Sequence, residues 1–302
     1  MTEAATEAPD DGVTEGADDR LADVIRWLWA FVDRPLERFD EAARFWCAVS
    51  GTTLSPRRGT DREFATFLPP NADACLKLQG VQAGRGGAHL GIDVDDVDAV
   101  THAAVEEHGA TVLRREGTGL SVLRTPAGMP FCLTRWDGPT RRPPVVEAVA
   151  QEHAQALERA RAQEQAQSLE QARAGADGGV RLRSRVDQIC FDLAPEDFAR
   201  EAEFWGGFTG WGVPAVTDSE FSRLAVPDEL PVRVLLQRCE TPGAPGAHLD
   251  IACGDEVPRI RAYHERLGAR WVANGEHWQV MRDPAGGLYC LTERDPESGR
   301  LG

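Results

Sequence analysis

The sequence predicts an α+β protein of two tandem domains joined by a helical linker. Each domain is written as two copies of a strand–helix–strand–strand–strand unit. Three observations carry this. Distant segments recur at nearly one offset, both halves alternate strand-like and helix-like patterns in the same order, and an Ala/Gln/Glu-rich stretch separates them.

Sliding the chain by 159 residues lays Phe45-Trp46 on Phe204-Trp205, Ala88-His89-Leu90 on Ala247-His248-Leu249, and Gly109-Ala110 on Gly268-Ala269. A shift of 158 lays Gln79 on Gln237 and "RTPAGMPFCLTR" on "RDPAGGLYCLTE". Anchors this far apart at almost one offset define two homologous domains, residues 22–138 and 183–296. A length of 302 residues with 42% hydrophobic content suits two domains with cores of their own.

In the first domain "WLWAFVDR" is a strand and "ERFDEAARFWCAVSG" a helix, followed by strands "EFATFL" and "ACLKLQ". Its second unit runs "AHLGIDV", the helix "VDAVTHAAVEEHGA", then "TVLRRE", "LSVLRTP" and "PFCLTR". In the second domain "RVDQICFDL" alternates as a strand does, and "APEDFAREAEFWGGFTG" has helical apolar spacing between Pro195 and Gly206-Gly207. "SEFSRLAVP" and "PVRVLLQRC" are strand-like. "AHLDIAC", the helix "DEVPRIRAYHERLGA", and the strands "RWVAN", "HWQVMRDPAGG" and "LYCLTE" complete it, with "DPAGG" as a turn. Carboxylates of "DVDD" and "CGD" fall at strand-to-helix junctions, where they are expected to cap helices.

Residues 139–182 are rich in strong helix formers, and a mostly solvated linker helix is expected from about 144 to 173. A coiled-coil arm would need a sustained a/d heptad, which this stretch lacks. Residues 1–21 form an acidic tail expected to be disordered, with no signal-peptide pattern, and residues 297–302 form a short tail. The net charge of −16 argues against nucleic acid or anionic membranes as partners, since no basic run offsets it. No apolar run is long enough to span a bilayer. Seven cysteines without a CxxC pair suggest free thiols and a cytoplasmic protein. A homodimer is left open.

The paired phrases "HLGIDVDD" and "HLDIACGD", the "FW" closing each first helix, the "LQ" before a turn, "HGA" and "LGA", and "TPAGMPFCL" with "DPAGGLYCL" resemble the vicinal oxygen chelate (VOC) superfamily. This is the glyoxalase, bleomycin-resistance and extradiol-dioxygenase fold, and the chain looks most like its glyoxalase-like-domain branch. The resemblance implies paired βαβββ modules that form a curved mixed sheet around a cleft. It also implies where metal ligands would stand, on the first and last strands of the modules. Carried over, these positions are Gln188, Gln237, His248 and Cys290 in the second domain and Trp29, Gln79, His89 and Cys132 in the first.

Neither set contains a carboxylate, and Trp29 cannot ligate. The expectation is therefore a small-molecule site without a standard metal, contacted by Trp29, Gln79, His89, Gln188, Gln237, His248 and Trp278. No cofactor is expected, apart from a divalent metal in the second domain under the alternative of a metal-dependent lyase, isomerase or dioxygenase using Gln188, Gln237, His248 and Cys290. A second alternative is a ligand-free interaction scaffold. Trp46 and Trp205 are expected in the core, Trp271 facing the cleft, His277 at its rim, and His102, His108 and His264 on solvated helix faces. Cys132 and Cys290 lie in apolar strands with no flanking cation, which argues against nucleophilic catalysis.

Overall fold

A computed structural model describes residues 21, 23–82, 84, 86–149, 181–213, 220–240 and 245–301. Domain 1 consists of β1 (Ile25–Pro35), α1 (Phe39–Ser50), β2 (Thr53–Leu54), β3 (Phe64–Leu68), β4 (Leu76–Val81), β5 (Gly87–Val94), α2 (Val97–Glu106), β6 (Thr111–Glu116), β7 (Leu120–Arg124) and β8 (Pro130–Arg135). After β9 (Val146–Val149), domain 2 repeats the order: β10 (Arg181–Leu193), α3 (Pro195–Thr209), β11 (Phe221–Arg223), β12 (Arg233–Arg238), β13 (Gly246–Ala252), α4 (Val257–Arg266), β14 (Arg270–Asn274), β15 (Trp278–Arg282) and β16 (Leu288–Thr292).

Both sheets are mixed and share one topology. The orders are β2-β3-β4-β1-β5-β8-β7-β6 and β11-β12-β10-β13-β16-β15-β14. Within each, β1 and β10 are central, parallel to β4 and β12 and antiparallel to β5 and β13. The two-residue pleat sorts their side chains. Ile189, Phe191 and Leu193 are buried on the helix side, where Phe191 meets Trp205 at 5.4 Å, while Gln188, Cys190 and Asp192 project from the other face.

The start of the expected linker helix is a strand. Val146–Val149 pairs antiparallel with Arg181–Ser184, extending β10 beyond its own sheet. The β-branched valines of "PPVVEAV" suit an extended edge, and the long N-terminal half of β10 offers an unpaired one. The remainder of that helix and the acidic tail lie outside the described residues. Residues 297–301 are not a loose tail: Arg183 binds the Glu297 carboxylate and Arg233 the Ser298 carbonyl. Among the described residues, no helix is long and apolar enough to cross a membrane.

The two "FW" pairs are core residues, as expected, but each helix packs across the domain boundary as well as on its own sheet. Phe45 and Trp46 of α1 meet Tyr289 of β16 at 5.6 and 5.5 Å, and Phe204, Trp205 and Phe208 of α3 surround Phe131 of β8. His264, expected on a solvated face, is buried in this layer, with Nδ1 2.9 Å from the Tyr289 hydroxyl. Burial pushes its pKa down to about 3, so the ring is neutral. His108 also departs from expectation, its ring lying 6.0 Å from Phe208 of the other domain.

Each buried indole needs an acceptor for its N–H, and the two half-interfaces supply it differently. Trp46 donates to Asp283 of domain 2 at 2.9 Å, and the same carboxylate oxygen takes Arg34 Nε at 2.6 Å. Arg34 also donates to the carbonyls of Asp33 and Gly87, so its charge is fully engaged. The guanidinium lies flat on Gly287, where a Cβ would stand 2.0 Å from Arg34 Cζ. At the pseudo-equivalent place Thr125 replaces Asp283 and Leu193 replaces Arg34. There the carboxylate comes from Glu201, one turn before Trp205, accepting from Trp205 Nε1 and Thr125 Oγ1 at 2.7 Å each. With no cation beside it, burial pushes Glu201 up to about 7 despite those hydrogen bonds.

Two outcomes follow from this interface. Asp283→Ala strands the Arg34 charge and should cost about 3–5 kcal/mol in denaturant unfolding; a loss below about 1 kcal/mol would contradict the role assigned to it. Glu201 has its folded pKa raised above the ordinary 4.5. Its stabilisation is therefore complete below that pH and is lost as pH rises to about 7, because the unfolded chain ionises first. Glu201→Gln should gain on the native protein across that window, by about 3 kcal/mol in total. A difference independent of pH between 5 and 8 would show that the carboxyl is not held protonated.

Candidate functional site

The open face of the domain 2 sheet forms the floor of a cavity of about 520 Å3. The register brings its floor together from three strands. Gln188 of β10 pairs with Asp250 of β13, Asp250 pairs with Cys290 of β16, and Cys190 pairs with His248. All four residues carried over from the resemblance, Gln188, Gln237, His248 and Cys290, line this one cavity. Trp278 lines it too, edge-on to Phe221 at 5.4 Å, and Leu235 and Leu301 add apolar wall. His277 stands at the exposed rim, 3.0 Å from Glu293. Trp271 does not face the cleft; it is 44% exposed on edge strand β14 and bonds Asn274.

Contrary to the expectation from the ligand positions, the domain 2 site contains carboxylates. His248 lies between two of them, with Nδ1 3.0 Å from Asp192 Oδ2 and Nε2 3.3 Å from Asp250 Oδ1. Both were legible in principle: alternation puts residues two apart on one face, so "HLD" exposes His248 with Asp250 and "CFD" exposes Cys190 with Asp192. Gln188 donates to Asp250 Oδ2 at 2.6 Å and accepts from Arg294 at 2.8 Å. Arg294 in turn grips both oxygens of buried Asp187. Gln237 sits to the side, accepting from the Cys190 thiol and donating to Glu220.

Donor atoms of His248, Asp250 and Cys290 all lie within 4.8 Å of one another, and so do those of Cys190, Asp192 and His248. Burial works against charge on His248. With the Asp192 carboxylate on Nδ1 and Asp250 beside Nε2, its pKa is nonetheless raised well above the ordinary range. Burial likewise opposes ionisation of Asp250, but His248, Arg294 and Gln188 prevail and keep it ionised. Burial pushes both thiols up, so without a cation Cys190 and Cys290 are neutral.

Domain 1 keeps the frame and fills the space. His89 Nδ1 is 2.7 Å from Asp33, the counterpart of Asp192, and its pKa is raised to about 10, the carboxylate outweighing burial. Trp29 and Phe31 stand where domain 2 has Gln188 and Cys190, and both are buried. Phe31 stacks on His89 at 4.1 Å, and Trp29 donates to Asp93 at 2.8 Å beneath the Lys77 ammonium. Asp93 is therefore a cleft residue; of "DVDD", Asp96 is the one that caps α2. Gly91 replaces Asp250 because a Cβ there would lie 2.8 Å from the Phe31 ring. Gln79 lies across from Asp33, as Gln237 lies across from Asp192.

Two mixed sheets of this topology, each with a cleft-facing His–Asp pair, define a tandem VOC-type protein. The glyoxalase-like domain family matches twice, over residues 29–134 and 188–292, and the chain belongs to that family. Three solved structures share the fold at low identity. The Mn(II)-bound glyoxalase from Novosphingobium aromaticivorans is 18% identical over 92% of this chain and 86% of its own, with a TM-score of 0.52. The 2,2',3-trihydroxybiphenyl 1,2-dioxygenase from Sphingomonas wittichii is 16% identical over 92% and 95%, TM-score 0.56. The 2,3-dioxygenase LapB from a Pseudomonas species is 13% identical over 89% and 92%, TM-score 0.55. No curated protein matches.

Proposed function

We propose that domain 2 is a metal-dependent enzyme site, of the lyase, isomerase or dioxygenase kind, for a small apolar or aromatic molecule bearing an oxygen function. The observation that carries this is the triad His248, Asp250 and Cys290, whose donor atoms converge on the floor of a cavity of ligand size. The donor set fits a divalent cation, whose binding would displace the protons on His248 and Cys290. Nitrogen, carboxylate oxygen and sulfur suit zinc and its first-row neighbours better than magnesium. Asp250 Oδ1 is buried and faces His248 Nε2 at 3.3 Å, so the carboxylate and the imidazole nitrogen point at one place.

A divalent cation held there with open positions would polarise a bound carbonyl or hydroxyl oxygen. The rest is the work of the chain. Asp192 fixes the His248 ring through Nδ1 and leaves Nε2 facing Asp250. Gln188, anchored by Arg294, holds the Asp250 carboxylate in place. Phe221, Leu235 and Trp278 provide a water-excluding wall against which a ring can lie. Domain 1, with Trp29 and Phe31 in its cleft, serves as a support for this site.

Metal-free binding draws on the same geometry, since Asp192 and Asp250 already balance an imidazolium at His248. Metal analysis of protein purified without chelator separates the two. About one divalent ion per chain is expected, lost in His248→Ala and in Asp250→Ala and kept in His89→Ala. Substoichiometric metal that does not respond to these substitutions would leave the metal-free reading.

A further inference from the structure

The acidic chain concentrates arginine at one place. A second cavity, of about 420 Å3, is lined by Arg142, Arg223, Arg233 and Arg300, against two carboxylates, Asp228 and Glu297. Arg223 and Arg300 line the His248 cleft as well, so the two spaces share a wall. The four guanidinium groups come from the segment after β8, from β11, from β12 and from the C-terminal turn.

Two of them are anchored. Arg233 binds Asp187 at 2.9 Å and the Ser298 carbonyl at 2.6 Å. Arg142 donates to the Asp228 carbonyl, yet its Nε is buried and has no partner among the described residues. Behind them Arg185 is 7% exposed, and its Nε is buried and unpartnered in the same way. The crowding is costly to the free protein: burial and the Arg142 charge push Arg185 down to about 10, and burial and Arg233 lower Arg142. Arg223 and Arg300 are exposed, and neither side chain has a partner among the described residues. Unpaired guanidinium forks beside a charged, partly buried layer are complementary to an oxyanion.

We propose that the ligand of the domain 2 cleft is an amphipathic anion. Its apolar or aromatic body lies against Trp278, Phe221 and Leu235, and its carboxylate or phosphate is taken by Arg223 and Arg300 at the mouth of the arginine cavity, with Arg142 behind. This rests on the reading of the cleft as a ligand site, and it adds the chemical class of the ligand. The basic patch is invisible in the sequence because its members are scattered from residue 142 to residue 300.

Calorimetry on the full chain with 2-naphthol, 2-naphthoate and 2-naphthyl phosphate tests it. At least one anion should bind about tenfold more tightly than naphthol, and the better one identifies carboxylate or phosphate as the preferred group. The advantage should shrink at high salt. It should also vanish in the Arg223→Ala/Arg300→Ala double variant, whose melting temperature and metal content should match the native protein's because both residues are exposed. Naphthol bound with no advantage for either anion, or an advantage that survives in the double variant, overturns this proposal and leaves the cleft reading standing. No binding of any of the three overturns both the proposal and the cleft as an aromatic site.

Discussion

The cleft of domain 2 depends on one constraint, the pairing register of β10, β13 and β16. That register sets Gln188, Asp250 and Cys290 in a row, with Cys190 and His248 in the next. Side chains alternate along each strand, so a slip of one residue would present Ile189, Leu249 and Leu291 to the cleft instead. The opposite face prevents the slip, because those same residues are fully buried. A bulge between Val186 and Gln188 adds a further determinant. It accommodates Asp187, whose buried carboxylate gathers Arg233 and Arg294. Arg294 then reaches Gln188, and Gln188 reaches Asp250. The row of Gln188, Asp250 and Cys290 and the arginine cluster are thus tied to the same short stretch of β10.

The two domains show what duplication leaves free to change. The His–Asp pair and the sheet order persist in both, while the cleft is polar and open in one and packed with Trp29 and Phe31 in the other. The boundary between the domains has diverged in a similar way. A carboxylate still meets the indole in each half, but it has moved from the turn before the last strand to the first helix. One copy pairs it with Arg34; the other leaves Glu201 to be neutralised by burial. Helices that pack on both sheets bind the cleft of domain 2 to the core of domain 1.

Much of this was legible in the sequence. The repeat and the element order followed from offsets and alternation, and the positions of Gln188, Gln237, His248 and Cys290 from the family resemblance. The carboxylates Asp192 and Asp250 lie outside the inherited ligand positions, each two residues along the same strand face from Cys190 and His248. Other features depend on contacts a sequence does not state. The "FW" pattern is the same whether a helix rests on its own sheet or also on its neighbour's. His264 shares its helix with exposed charges, and only the presence of Tyr289 and Phe45 buries it. The valines before residue 150 satisfied a helix-rich composition until the edge of β10 claimed them.

The central claim is that His248, Asp250 and Cys290 hold one divalent cation. Titration with Co2+, followed by visible and near-ultraviolet absorption, addresses it directly, because a thiolate ligand gives a charge-transfer band that nitrogen and oxygen ligands do not. Saturation near one cobalt per chain is expected, with a thiolate band that disappears in Cys290→Ser and persists in Cys132→Ser. Absence of the band, or a band unchanged in Cys290→Ser, would contradict the account.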